Sequence, residues 1–206
     1  MIQKPDFNTY DVFRMFDQNG SGVISVSDLK YGLGDIGVTV GIEEVELFFK
    51  RYDKDHDGRL SFSEFAASLI ADDHYYAETL NRRQSSHIRV NPYKRDDLFN
   101  HTTSQAFREL MRTHFRVESA AEELRQRLSR NPYFNISEAF RACDLNQNGQ
   151  ISKDELRLFM ETRGFFVSEQ DARSLTKKFD KNGDGRISFA EFVDEIAPKS
   201  PGKRRV

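Results

Sequence analysis

Four segments of twelve residues repeat one frame: DQNGSGVISVSD (Asp17–Asp28), DKDHDGRLSFSE (Asp53–Glu64), DLNQNGQISKDE (Asp144–Glu155) and DKNGDGRISFAE (Asp180–Glu191). Each opens on aspartate, has glycine at its sixth position (Gly22, Gly58, Gly149, Gly185) and an aliphatic residue at its eighth (Ile24, Leu60, Ile151, Ile187), and closes on a carboxylate. The second segment crowds Asp53, Asp55, Asp57 and Glu64 together. Carboxylates so close repel one another unless a cation lies between them, and donors that are all oxygen select a hard one such as Ca²⁺ or Mg²⁺.

The spacing of the segments sets the organisation. Asp17 to Asp53 is 36 positions and Asp144 to Asp180 is again 36. Equal spacing implies two equivalent lobes, each made of two helix-loop-helix units, because one unit alone cannot bury its apolar face. The fold class is therefore all-α. Residues 1–75 and 132–198 form the two lobes, residues 76–131 a linker with a long helical insert, and residues 199–206 a basic tail that is expected to be disordered.

This frame resembles the calcium loop of the EF-hand family, and four copies resemble four-site calmodulin- and centrin-like proteins. The resemblance implies the ligands. In the second loop Asp53, Asp55 and Asp57 give side-chain oxygens, Arg59 its backbone carbonyl, and Glu64 both carboxylate oxygens, while Gly58 permits the sharp turn. By the same correspondence the fourth loop offers Asp180, Asn182, Asp184, Arg186 and Glu191, and the third Asp144, Asn146, Asn148, Gln150 and Glu155. The first offers Asp17, Asn19, Ser21, Val23 and Asp28. Affinity follows ligand charge and rigidity, so loops two and four rank ahead of three. Loop one ends in aspartate where the family has glutamate; the shorter side chain reaches bidentate geometry poorly, so this loop leans towards Mg²⁺ or stays empty.

Helical signals frame the loops. Asn8 or Thr9 is an N-cap for the first helix, and Ser168 with Asp171 reads as a capping box ahead of the fourth loop. Between the lobes, the gap from Asp53 to Asp144 is 91 positions, 55 more than the spacing within a lobe. A long helix is expected there from about Thr102, capped with Gln105, to Arg130. Its stripe Phe107, Leu110, Met111, His114, Ala121, Leu124 and Leu128 must lie against one of the chain's own lobes, a partner, or a second copy, or hold the lobes apart.

Composition narrows the function. The 31 basic and 33 acidic residues nearly cancel, leaving a net charge of −2, whereas a sensor built to seize basic helices is strongly acidic. Only Met1, Met15, Met111 and Met160 are methionines, too few for an adaptable Met-lined groove. The single cysteine, Cys143, rules out an internal disulfide and suits a reducing compartment. MIQKPDF has no apolar signal segment, and no stretch approaches the roughly 18 apolar residues of a membrane span, so a cytoplasmic protein is expected. The five histidines lack zinc-ligand spacing, and no constellation for acid/base or nucleophilic catalysis is visible, so the chain reads as no enzyme.

The runs FFKRYDKDHDGRLSFSEF, YYAETLNRR and PKSPGKRR are similar to EF-hand proteins of the ciliary axoneme, including those inside doublet microtubules. That resemblance implies a calcium-binding adaptor or structural protein in the cytoskeleton of a cilium or flagellum. Its partners would be proteins, tubulin or other axonemal proteins among them, without nucleic acid or membrane. A free cytosolic sensor and a regulatory subunit of an enzyme are the alternatives.

Overall fold

The computed structural model describes residues 3–70, 74–83, 85, 91 and 95–200. The chain divides into two compact units, residues 1–121 and 122–206.

In the first unit, α1 (Thr9–Phe16) leads into loop one, strand β1 (Val23–Ser25) and α2 (Val26–Asp35). Helix α3 (Ile42–Tyr52) then leads into loop two, β2 (Arg59–Ser61) and α4 (Phe62–Ala67). Helix α5 (His74–Asn81), a 3-10 turn at Arg95–Leu98 and α6 (His101–Arg130) follow. Asn8 caps α1 as expected, its side chain accepting from the Tyr10 and Asp11 amides. The loops join through β1 and β2, which pair antiparallel with Ile24 opposite Leu60. Three-residue strands do not hold by themselves. Their pairing is secured by the two aliphatic side chains, both fully buried.

The second unit contains α6 from Glu122 onward, α7 (Ile136–Cys143), β3 (Gln150–Ser152), α8 (Lys153–Thr162), α9 (Glu169–Phe179), β4 (Arg186–Ser188) and α10 (Phe189–Ile196). Ile151 pairs with Ile187 across β3 and β4. The expected capping box of Ser168 and Asp171 opens α9. The core is built from Phe140, Cys143, Leu156, Phe179 and Phe192.

The segment read as a linker does not stand apart, because the boundary between the units falls inside α6, after Ala121. Of the places open to its apolar stripe, the chain's own first lobe takes Phe107 and Met111, joined by Phe115, which the stripe did not include; all three are buried in that unit's core. Phe107 lies 6.4 Å from the Phe16 ring, and Phe115 lies 5.4 Å from Phe48, so α6 touches the helices that enter both loops. The cap differs from the expected Thr102 and Gln105: Asn100 Oδ1 accepts from the Thr103 amide at 3.0 Å. Asp6 reinforces this start, accepting from the Asn100 amide at 2.8 Å and the Thr103 hydroxyl at 2.7 Å. Carboxylate acceptors suit the positive end of a helix.

Polar ties attach two arginines of the insert to the same unit. The Arg83 guanidinium donates to the carbonyls of Lys4 (2.6 Å) and Phe7 (2.8 Å), and Arg95 donates to that of Met15 at 2.9 Å. Arg95 also meets Asp35 at 2.9 Å. This crossing depends on Gly32, where a Cβ would stand 2.4 Å from Phe16 Cδ1 and 2.6 Å from Arg95 Nη1. Of the expected tail, Lys199 and Ser200 are anchored to Glu122, while Lys203, Arg204 and Arg205 lie outside the described residues, as does His87.

Phe107→Ala should cost about 3–5 kcal/mol, the usual loss for a buried phenylalanine, read as a lower denaturant midpoint for the first unit. His114 on α6 gives a pH test. Burial, and then the nearby Arg51 charge, lower its pKa from 6.5, outweighing the opposing effect of Glu118. A histidine held neutral by the fold contributes stability above its unfolded pKa, and that stability declines as pH falls from about 6.5 towards the lowered folded value. The first unit should weaken as pH falls below about 6.5, and His114→Gln should flatten that slope.

Candidate metal centres

All four loops share one backbone plan. The sixth-position glycines have φ between 78° and 83°, in the left-handed region that a Cβ disfavours. Each lets an amide turn inward onto the first aspartate: Gly22 donates to Asp17 Oδ2 (2.9 Å), Gly58 to Asp53 Oδ2 (2.9 Å), Gly149 to Asp144 Oδ2 (2.9 Å) and Gly185 to Asp180 Oδ2 (2.8 Å). The serine at position nine caps the exiting helix in every loop and forms a capping box with the residue at position twelve. The closing carboxylate is therefore oriented by helix capping, independently of any ion.

Loop two brings its acidic residues together. One carboxylate oxygen each from Asp53, Asp55 and Asp57 lies within 4.8 Å of the others. Asp53 Oδ1 is buried and has no hydrogen-bond donor. A buried carboxylate oxygen without a hydrogen-bond donor is costly, and a cation held by this loop would satisfy it. Glu64 spans the loop, its Oε1 accepting from the Lys54 amide (2.8 Å) and its Oε2 from the Ser61 amide (2.9 Å) and hydroxyl (2.7 Å). Arg59 donates its amide to Asp57 Oδ1 at 2.7 Å, with its carbonyl at position seven.

Loops three and four repeat the span. Glu155 accepts from the Asn146 amide (3.1 Å) and from Ser152, and Glu191 from the amides of Lys181 (2.9 Å) and Asn182 (3.2 Å) and from Ser188. For Glu64, Glu155 and Glu191 burial acts to raise the pKa, but the bonds from serine and loop amides outweigh it and the net shift is downward. They are poised as carboxylates. Around them Asn146 Oδ1 accepts from the Asn148 amide (3.0 Å), Asn148 Oδ1 from Gln150 (2.9 Å), Asn182 Oδ1 from Asp184 (2.8 Å) and Asp184 Oδ1 from Arg186 (2.8 Å). The seventh residues Gln150 and Arg186 begin the short strands, as Val23 and Arg59 do.

Loop one is built differently. Asp28 accepts from the Ser25 amide (3.0 Å) and hydroxyl (2.6 Å) only through Oδ2, while the Gln18 amide bonds to the Phe16 carbonyl at 2.9 Å. The missing methylene keeps Asp28 from the far side of the loop. The Ser21 hydroxyl also reaches Asp17 Oδ1 (3.2 Å) and the Val23 carbonyl (3.0 Å), and Asn19 Oδ1 accepts from the Ser21 amide (2.9 Å). The Asn19 bond repeats the pattern of Asn146 and Asn182, so the Ser21 hydroxyl on Asp17 and Val23 is what sets this loop apart.

The fourth loop position separates the copies in a way that the ligand pattern does not show. Gly20 and Gly183 hold positive φ there without strain, whereas His56 (φ 60°) and Gln147 (φ 58°) adopt it as L-residues. His56 is thus a backbone feature of its loop.

The family model of an EF-hand domain pair matches residues 7–69 and again 133–197. The calcium-binding allergen Ole e 8 of Olea europaea is 27% identical over 199 residues, 97% of this chain and 86% of that protein. Calmodulin-like protein 9 of Arabidopsis thaliana is 44% identical over 61 residues, 30% of this chain and 40% of that protein. Calcium-binding protein 8 of Homo sapiens is 41% identical over 64 residues, 31% of this chain and 24% of that protein. With both lobes matched and the loops built as described, the chain belongs to the EF-hand family of calcium-binding proteins and is calmodulin-like.

Proposed function

We propose that this chain is a calcium-binding adaptor of a cytoskeletal assembly, in the axoneme of a cilium or flagellum. The observation that carries the reading is the burial of Phe107, Met111 and Phe115 in the core of the first unit. A lobe that senses calcium by exposing an apolar groove to a target helix needs that groove free. Here the chain's own helix covers it, and calcium would reinforce a built unit. Near-neutral charge and scarce methionine support the same reading, and the similarity of three runs to axonemal proteins is what favours an axonemal location within it. Protein partners, tubulin among them, would meet the outer surface and the basic end of the chain.

A second reading, a sensor acting through the second unit, is favoured by one difference between the lobes. After the helix that leaves loop one, Val38 follows Gly37 and is fully buried, whereas after loop three Phe165 and Phe166 follow Gly164 and are 60% and 96% exposed. Calcium-dependent exposure of apolar surface separates the two. The adaptor reading expects little added binding of an apolar dye with calcium, together with retention in a salt-resistant cytoskeletal fraction. Full release by mild detergent would overturn it.

For the metal, Ca²⁺ would be held by the assigned ligands of loops two, four and three in falling order, with Mg²⁺ or no ion in loop one. Calorimetric titration in millimolar Mg²⁺ should lose one tight site each in Glu64→Gln and Glu191→Gln. Asp28→Glu, restoring the reach to the Gln18 amide, should strengthen loop one. Unchanged calcium affinity in both glutamine variants would sink the ranking.

A further inference from the structure

The end of the second unit is held by a carboxylate that belongs to none of the loops. Glu122, buried on α6, accepts from the amides of Lys199 (3.0 Å) and Ser200 (2.9 Å) and from the Ser200 hydroxyl (2.8 Å). Gln126 Nε2 donates both to Glu122 (3.3 Å) and to Ser200 Oγ (3.0 Å). Burial acts to raise the pKa of Glu122, and these donors outweigh it, keeping the group ionised. Its neighbour Arg125 divides between two carboxylates: Nη1 donates to Glu122 Oε2 at 3.4 Å, while Nη2 pairs with Glu195 Oε1 at 2.9 Å and Nε donates to the Glu195 carbonyl at 2.8 Å. Lys199 Nζ is paired with Asp194 at 2.9 Å.

Ser200 is half-buried and precedes Pro201, with Lys203 three positions on. A residue before proline is biased to extended backbone, the form in which a kinase takes its substrate. We propose that Ser200 is a phosphorylation site of a proline-directed protein kinase, and that its modification unlatches the chain end from α6.

In that step the Ser200 Oγ–P bond forms as the bond from the γ-phosphorus of the nucleoside triphosphate to its bridging oxygen breaks. The nucleoside diphosphate leaves, and the hydroxyl proton passes to the kinase's base. The product has lost the O–H that donates to Glu122. In its place it carries a charge of about −1.5 to −2 beside a buried carboxylate, an arrangement that disrupts by repulsion and desolvation. The kinase would capture the undocked end, and the phosphate would keep it undocked.

The test uses the full chain, incubated with a proline-directed kinase and magnesium ATP. Mass spectrometry should place phosphate on Ser200, and Ser200→Ala should remove it. Amide hydrogen exchange at Lys199 and Ser200 should then rise about tenfold or more in the phosphorylated chain, in keeping with the loss of charge-assisted bonds to a buried acceptor. Ser200→Ala retains both amide donors to Glu122, so its exchange should rise less. Two results would overturn the proposal: a synthetic peptide of residues 195–206 modified while the full chain is not, or phosphorylated chain with unchanged exchange at both amides.

Discussion

Each lobe depends on the contact between two aliphatic side chains, Ile24 with Leu60 and Ile151 with Ile187. A loop that gathers carboxylates repels itself, and the helices on either side have apolar faces they cannot cover alone. Pairing two loops back to back covers the apolar faces, and a bound cation offsets the repulsion. The buried eighth residue of each loop fixes the register of a short ladder, and that register places four helices around one core. The glycine two positions earlier turns an amide onto the first aspartate, and the serine one position later caps the next helix. The liganding geometry and the hydrophobic core are thus set by the same few residues, so that binding an ion and folding the lobe favour the same backbone.

What could be read from residues is what repeats. The loops, their pairing, the caps at Asn8 and Ser168, and the shorter reach of the closing Asp28 all follow from short-range spacing. The insert was harder, because its anchors are single polar contacts over long separations: Asp6 to Thr103, Arg83 to Phe7, Arg95 to Met15. None belongs to a periodic pattern. Arg82-Arg83-Gln84-Ser85 looks like an ordinary polar loop, yet Arg83 joins the insert to the start of the chain and the Ser85 hydroxyl donates to Asp11. The apolar stripe misled at its far end. Leu124 lies nine positions beyond Phe115, about 180° around a helix at 3.6 residues per turn, and it is largely exposed. The buried line runs on instead to Glu122 and Arg125, whose charges suggest a solvated face.

Helix α6 is accordingly held by two kinds of force. In the first unit it contributes Phe107, Met111 and Phe115, each of which gains roughly 1.5–3 kcal/mol from leaving water. Apolar burial of this kind is not weakened by charge screening and has little directional demand. In the second unit the buried groups are Glu122, Arg125 and Glu195. Removing such charges from water costs several kcal/mol per ion, recovered only when every donor and acceptor is matched. The match is close here, since Arg125 binds both the side chain and the carbonyl of Glu195, and Glu122 is filled by donors from Lys199 and Ser200. A contact of this type adds little net stability while it is intact and costs much when one partner is changed. The apolar end of α6 is therefore suited to permanence and its ionic end to control, since a single added charge can upset a balanced pair but hardly disturbs three hydrophobic side chains.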